Sequence, residues 1–223
     1  MRLRQLVTFV CAALCVVAGL PSIAVAAQPL HGEIFVVDPG HGTRFPNGKP
    51  LNVGAVGPDG VTEENVVLAI GEDLARLLRA AGAEVVLTRS YAHPYRIGTG
   101  RKADNRARAA LANRLGATAF IALHADADPY HRRWAHGTSV FWLRRNSVAL
   151  AKSVRAHLKP LGLGESAFRA RSLAVTRVAR IPAVLVELGF VTNPRQEHLL
   201  AAPHFQRIEA YALYDAILAV FAH

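Results

Sequence analysis

Ile34-Phe35-Val36-Val37-Asp38-Pro39-Gly40-His41-Gly42 begins as a short apolar, β-branched run and ends abruptly in polar and glycine residues. The same form recurs twice. Phe120-Ile121-Ala122-Leu123 leads into His124-Ala125-Asp126, and Ala183-Val184-Leu185-Val186 leads into Glu187-Leu188-Gly189-Phe190. Runs this short, with no alternation of polar residues, are those of strands covered on both faces. Val85-Val86-Leu87 and Ser139-Val140-Phe141-Trp142 read the same way. Between them the period changes to that of a helix. Thr62 is a candidate N-cap, Val66, Ile70, Leu74, Leu77 and Leu78 share one face, and Gly82 supplies a stop. Further helices are expected over 103–115, 147–158 and 203–220. The alternation predicts an α/β fold: a single-domain, open, twisted mixed sheet with helices on both faces. In such sheets chemistry gathers beyond the carboxyl ends of the strands.

The chain around this core bounds the function. Residues 1–26 are expected to be a cleaved secretion signal, with Arg2 and Arg4 before an apolar stretch over 6–20 and a small-x-small site at Ala24-Val25-Ala26. That stretch is short for a bilayer span and is interrupted by Gly19 and Pro21, so no stable membrane anchor is expected after cleavage. Leu14, where a small residue would precede a lipidated cysteine, argues against Cys15 as a lipoprotein anchor. Both cysteines, Cys11 and Cys15, fall in this segment, which leaves no disulfide and no thiolate chemistry for residues 27–223. That remainder suits one catalytic domain, expected to be a monomer. The formal charge is +10, and setting aside Arg2 and Arg4 leaves 24 basic against 16 acidic side chains. An exported basic chain meets anionic cell wall and lipid headgroups first. The arginines are scattered rather than blocked with aromatics, so nucleic acid is not the expected partner.

The three polar strand ends should converge. With Glu63, in the first turn after Thr62, they bring together two histidines and two carboxylates, a set suited to one catalytic zinc ion with a position open for water. An all-oxygen set would have pointed to calcium or magnesium. Singly, each residue has another explanation: His41 can turn a glycine-rich loop, Glu63 can favour the positive end of a helix, and His124 can cap a strand by hydrogen bonding. Glu187 is harder to explain away, because a carboxylate directly after an apolar strand is nearly buried, and that is costly unless it is paired or faces a cation.

Four blocks taken together carry a resemblance: Val37 to Gly42, Glu63 to Leu68, Ile121 to Asp126, and Pro182 to Pro194. In this order they resemble the motif blocks of the zinc-dependent N-acetylmuramoyl-L-alanine amidases of the amidase-3 family. The resemblance implies that His41, Glu63 and His124 match the family's metal ligands and Glu187 its catalytic glutamate. Glu64 is the alternative ligand; aligning Val66-Val67-Leu68 with the family's hydrophobic run favours Glu63. Asn105-Arg106 and Asn113 match positions read as structural. The implied reaction is hydrolysis, in peptidoglycan, of the amide between N-acetylmuramic acid and L-alanine, with zinc activating water and Glu187 handling its proton. The implied place of action is the periplasm or the cell wall outside it. No organic cofactor is implied. Two other readings share parts of this evidence: a zinc peptidase or deacetylase acting on another amide, and a non-catalytic wall-binding protein. Retention of all four chemical residues argues against the second.

The chain departs from the family pattern in three places. Thr43 stands where a second glycine is common, and 44–51 make a longer, Pro-containing loop expected to rim the site, with Arg44 or Lys49 reaching substrate. The stretch Asp128 to His136 carries Tyr130 and Trp134 among arginines, placed to stack on sugar or to accompany stem-peptide carboxylates. Residues 144–172 are too few for a helix plus a second helix plugging the site, so the site is expected to be open without an activator.

Overall fold

The computed structural model describes residues 28–130 and 134–223; the expected signal segment and His131, Arg132 and Arg133 lie outside the described residues. In chain order the strands and helices are β1 (Ile34–Pro39), β2 (Thr43–Arg44), β3 (Pro50–Asn52), α1 (Glu63–Ala80), β4 (Glu84–Leu87), β5 (Arg96–Ile97), α2 (Arg101–Arg114) and β6 (Ala119–Asp126). They continue with β7 (Thr138–Trp142), α3 (Val148–Leu158), β8 (Glu165–Ala170), α4 (Ala174–Val178), β9 (Ala183–Phe190), α5 (Pro194–Ala201) and α6 (Pro203–Phe221).

Six strands form one mixed sheet in the order β4-β1-β6-β9-β7-β8. Neighbours are parallel from β4 through β9, β7 runs antiparallel to β9, and β8 is parallel to β7. This is the open mixed α/β sheet that the alternation of strands and helices predicts. The strand period of two sorts the apolar residues. Phe35 and Val37 of β1, Ile121 and Leu123 of β6, and Val184 and Val186 of β9 enter a core closed by α1, α3 and α6. Val36, Phe120, Ala122, Ala183 and Leu185 enter a second core with Ala109 and Ala112 of α2 and Val175 of α4. Each fully buried Leu or Ile in these layers contributes roughly 1.5–3 kcal/mol.

The structure adds elements that periodicity does not reveal. The segment expected as a rim loop contains β2 and β3, which with β5 make a separate three-stranded sheet. Strand β8, Glu165-Ser166-Ala167-Phe168-Arg169-Ala170, is largely exposed and has no apolar run, and helices α4 and α5 are too short for a periodic signal. Thr62 holds the N-cap position of α1 in extended conformation, but its hydroxyl makes no capping bond and is buried without a partner among the described residues. No helix of the described residues is long and apolar enough to cross a membrane.

Candidate active site

From β1 the chain crosses through α1 to β4 on one side, then through α2 to β6 on the other. The strand order therefore diverges between β1 and β6, which opens a crevice at their carboxyl ends. His41 lies just past β1, Glu63 is the first residue of α1, and His124 sits near the end of β6. His41 is the one non-glycine residue with positive φ, 61°, among the described residues. A left-handed residue with a side chain costs about 1–3 kcal/mol and persists only where its surroundings enforce it.

Two buried arginines do so. Arg89 donates from Nε to Pro39 O at 2.9 Å and from Nη2 to Gly40 O at 2.8 Å, while Arg108 donates to Pro39 O at 3.1 Å and to His41 O at 2.5 Å. Gly40 N completes the loop by bonding to Leu123 O on β6 at 2.8 Å. Arg108 is itself held between Asp38, at 2.8 Å, and Asp104, at 2.9 Å. Burial pulls the Arg108 guanidinium down in pKa, but the two carboxylates outweigh it and the net shift is upward. Arg89 has no such enclosure; burial and the neighbouring Arg108 charge bring it down to about 10, still protonated at neutral pH.

At the crevice three donor atoms meet. His41 Nε2 lies 2.9 Å from Glu63 Oε1, His124 Nδ1 lies 3.0 Å from the same oxygen, and the two ring nitrogens are 3.1 Å apart. Bonds of about 2.0–2.1 Å in tetrahedral array put ligand atoms about 3.3 Å apart, so this triangle fits one zinc ion with a fourth position open. His41 Nδ1 is 2.9 Å from Asn52 Oδ1 on β3. A carboxamide oxygen there selects the tautomer with the proton on Nδ1 and leaves the Nε2 lone pair for a metal. Glu63 Oε2 accepts from Ala55 N at 3.0 Å, which fixes the carboxylate plane. Burial would raise the Glu63 pKa, but hydrogen bonds from His124 and His41 overcome it and hold the group well below the usual carboxylate range. Burial lowers the His41 pKa, yet Glu63 outweighs this and the net shift is upward. Glycines make the room: a Cβ on Gly40 would lie 2.4 Å from the His124 ring, and one on Gly54 would lie 2.6 Å from Glu63 Oε2.

Glu187 stands beside this cluster. In the sheet it pairs with His124 across the parallel β6–β9 ladder and with Ser139 across the antiparallel β7–β9 ladder. Register partners share a face, so the three side chains point the same way. The sequence reading makes Glu187 nearly buried; the strand end leaves its side chain partly open at the site. Its carboxylate makes no hydrogen bond among the described residues, and desolvation, then the charges of Glu63 and Asp126, push its pKa well above the ordinary value. An unengaged carboxylate of raised pKa next to a metal-competent cluster is suited to taking and returning a proton.

A family model described as N-acetylmuramoyl-L-alanine amidase (Amidase_3) matches residues 35–219. The chain belongs to this amidase family. Among curated proteins it is similar to the probable cell wall amidase LytH of Staphylococcus epidermidis, with 28% identity over 201 residues, covering 89% of this chain and 62% of that protein. The chain thus spans only about three fifths of the length of that relative. Among solved structures it is similar to the amidase AmiC2 of Nostoc punctiforme, with a TM-score of 0.72, 29% identity and coverage of 84% of this chain and 96% of that one. The amidase Ami1 of Mycobacterium smegmatis gives a TM-score of 0.71 at 26% identity, covering 85% and 97%.

Within this amidase fold the remaining candidate residues go to different places. Glu64 turns away from the cluster and forms a two-pronged pair with Arg44, at 3.1 and 2.9 Å. Arg44 also lies over the Tyr95 ring at 4.1 Å, so the residue expected to reach substrate is occupied in bracing the small sheet against α1. Lys49 is exposed at the turn between β2 and β3. Tyr130 and Trp134 are exposed beyond β6, and Trp134 lines a cavity with His136, Gly164 and Gln196, away from the His–Glu cluster. Arg106 is exposed on α2; the buried arginine of that helix is Arg108, two residues on. Asn113 donates to Val178 O at 2.9 Å and accepts from Arg180 N at 2.8 Å, a structural tie between α2 and the approach to β9. Sequence reasoning missed Arg89, Arg108 and Asn52. Arg89 follows the apolar run of β4, so the polar-end rule used for the other strands would have found it. Arg108 lies one helical turn from Asp104, a spacing that joins opposite charges.

Proposed function

We propose that this amidase-family chain is a peptidoglycan hydrolase that cleaves the amide between the lactyl group of N-acetylmuramic acid and the L-alanine of the stem peptide. The observation that carries the reading is the triangle of His41 Nε2, Glu63 Oε1 and His124 Nδ1, with Glu187 beside it in register with His124. His41, Glu63 and His124 would hold one zinc ion. Zinc at such a site supplies Lewis acidity, making a water molecule nucleophilic near neutral pH and polarising a carbonyl. Glu187 accepts a proton from the attacking water as its oxygen bonds to the lactyl carbonyl carbon. It then passes that proton to the alanine nitrogen as the carbon–nitrogen bond breaks, leaving a lactyl carboxyl group, which ionises to solvent at neutral pH, and a free N-terminal L-alanine. Asn52 and the Ala55 amide keep the first histidine and the glutamate oriented throughout. Export to the periplasm or the cell wall follows from the apolar leader and from where this substrate lies.

The test is mass spectrometry of peptidoglycan digested with the zinc-loaded protein, beside a chelated sample and Glu187→Gln. The expected result is stem peptides with free N-terminal L-alanine from the zinc-loaded protein alone. In Glu187→Gln the rate should drop by about 10²–10⁴-fold, with zinc still bound. Fragments cut at any other bond would reject the assignment of the substrate bond, and an active Glu187→Gln would reject the general base.

A further inference from the structure

Next to Glu187, on the side away from His41, lies an open pocket of about 360 Å³ whose lining includes Asp126, Ser139, Phe141, Ser166, Arg169 and Arg171. It adjoins the reacting groups directly, since Ser139 is the register partner of Glu187 and Asp126 ends the strand that bears His124. Arg169 lies in β8 and Arg171 one residue beyond it, two positions apart along an extended chain, so both project from one face. Arg171 lies over the Phe141 ring at 5.1 Å, and its guanidinium makes no hydrogen bond or ion pair among the described residues. Glu165, the carboxylate on the same strand, is occupied by Arg155 at 2.5 Å, while Asp126 and Glu187 lie within reach of the Arg171 charge without forming an ion pair with it. The floor carries a second signal. Ser139 is 1% exposed, and its hydroxyl has no partner among the described residues. A buried hydroxyl left unpaired is destabilising and gains a bond when a polar ligand enters.

This arrangement bears on which part of the substrate lies where, and it rests on the amidase reading above. The sugar side of the scissile bond is uncharged, whereas the second residue of the stem is a glutamyl residue whose α-carboxyl is free in some walls and amidated in others. An extended chain advances about 3.3–3.6 Å per residue, so that group falls within about 7 Å of the scissile nitrogen, in the space immediately beside Glu187. We infer that the Arg169–Arg171 pocket is the subsite for the free carboxylate of the second stem residue, with the Ser139 hydroxyl bonding to the same stretch of peptide. A guanidinium stacked on a ring is restrained in orientation and matches a carboxylate with two parallel bonds. The pocket makes the chain selective for walls in which this carboxyl is not amidated.

The experiment uses the zinc-loaded protein and two muramyl tripeptides that differ only in whether the second residue carries a carboxylate or an amide. Wild type is expected to prefer the carboxylate substrate in kcat/KM. Arg171→Gln should lose about ten- to a hundredfold on the carboxylate substrate and under about threefold on the amide, a size typical of a charge-assisted hydrogen bond. Zinc content and the unfolding midpoint of Arg171→Gln should equal those of wild type, which separates lost recognition from a damaged fold. Equal losses on both substrates, or none on either, would overturn the subsite while leaving the amidase reading standing. A wild type that frees L-alanine from neither substrate would overturn that reading and the subsite with it.

Discussion

At the residue scale, the role of Asn52 can be separated from that of the three metal-competent side chains. It touches no position a metal would take; its oxygen sits on the far nitrogen of His41 and selects the tautomer. Asn52→Ala is therefore expected to weaken zinc binding by about 10–100-fold, measured by competition with a chromophoric chelator, and Asn52→Asp, which keeps an acceptor, should retain it. Glu209 is a residue of the opposite kind. It is fully buried in α6, both carboxylate oxygens lack a partner among the described residues, and burial pushes its pKa well above the usual range. The sign follows from proton counts. Between the unfolded value, about 4.3, and the raised folded value, the folded state keeps a proton that the unfolded state has released, so stability falls as pH rises through that window. Below about pH 4.3 both states are protonated and this penalty is absent. Glu209→Met should stabilise the protein at pH 8 by about 1–3 kcal/mol, the cost of leaving a buried polar group unpaired. Urea unfolding at pH 4.5 and pH 8 checks this, and the gain should be larger at pH 8.

At the scale of elements, the site depends on how closely β1 and β6 approach. The loop after β1 crosses the His124 ring at a distance that only glycine allows, and the arginine clamp from β4 and α2 holds it there. Gly40→Ala would place a methyl group inside van der Waals contact with that ring, at 2.4 Å. The sheet has no reason to change, but the ring must swing away. The expected outcome is loss of zinc and of turnover with an unchanged far-ultraviolet circular dichroism spectrum; retention of stoichiometric zinc would show that the loop gives way instead. The charges beneath the loop work at the same scale. Asp38 belongs to β1, Arg89 follows β4, and Asp104 and Arg108 belong to α2, so one buried network ties three elements to the backbone of the loop that bears His41. Removing one member of such a network leaves an uncompensated buried charge.

At the scale of the whole molecule, residues 145–170 are taken up by α3, which packs against α6, and β8, which extends the sheet beyond β7. The side chains of His41 and His124 keep 18% and 20% of their surface exposed. The purified zinc protein is accordingly expected to release stem peptides without an added activator; activity that appears only when a second protein is supplied would contradict this. Much of this molecule is legible in its sequence. Strands buried on both faces leave unbroken apolar runs, long amphipathic helices leave a period, and the polar residues ending three strands mark His41, His124 and Glu187, because an open α/β sheet gathers its strand ends. Adjacency along the chain also names Glu63 and Glu64 as a pair. The alignment of Val66-Val67-Leu68 favours Glu63, and the tertiary structure turns Glu63 toward the histidines and gives Glu64 to Arg44. Sequence signals could flag Arg89 and Arg108, but only the tertiary structure shows what they, Asn52 and the Arg169–Arg171 pocket face. Apart from the Asp104–Arg108 pair within α2, their partners lie across the sheet or in another layer, and no local period or spacing encodes a contact between chain segments that meet only after the sheet has formed.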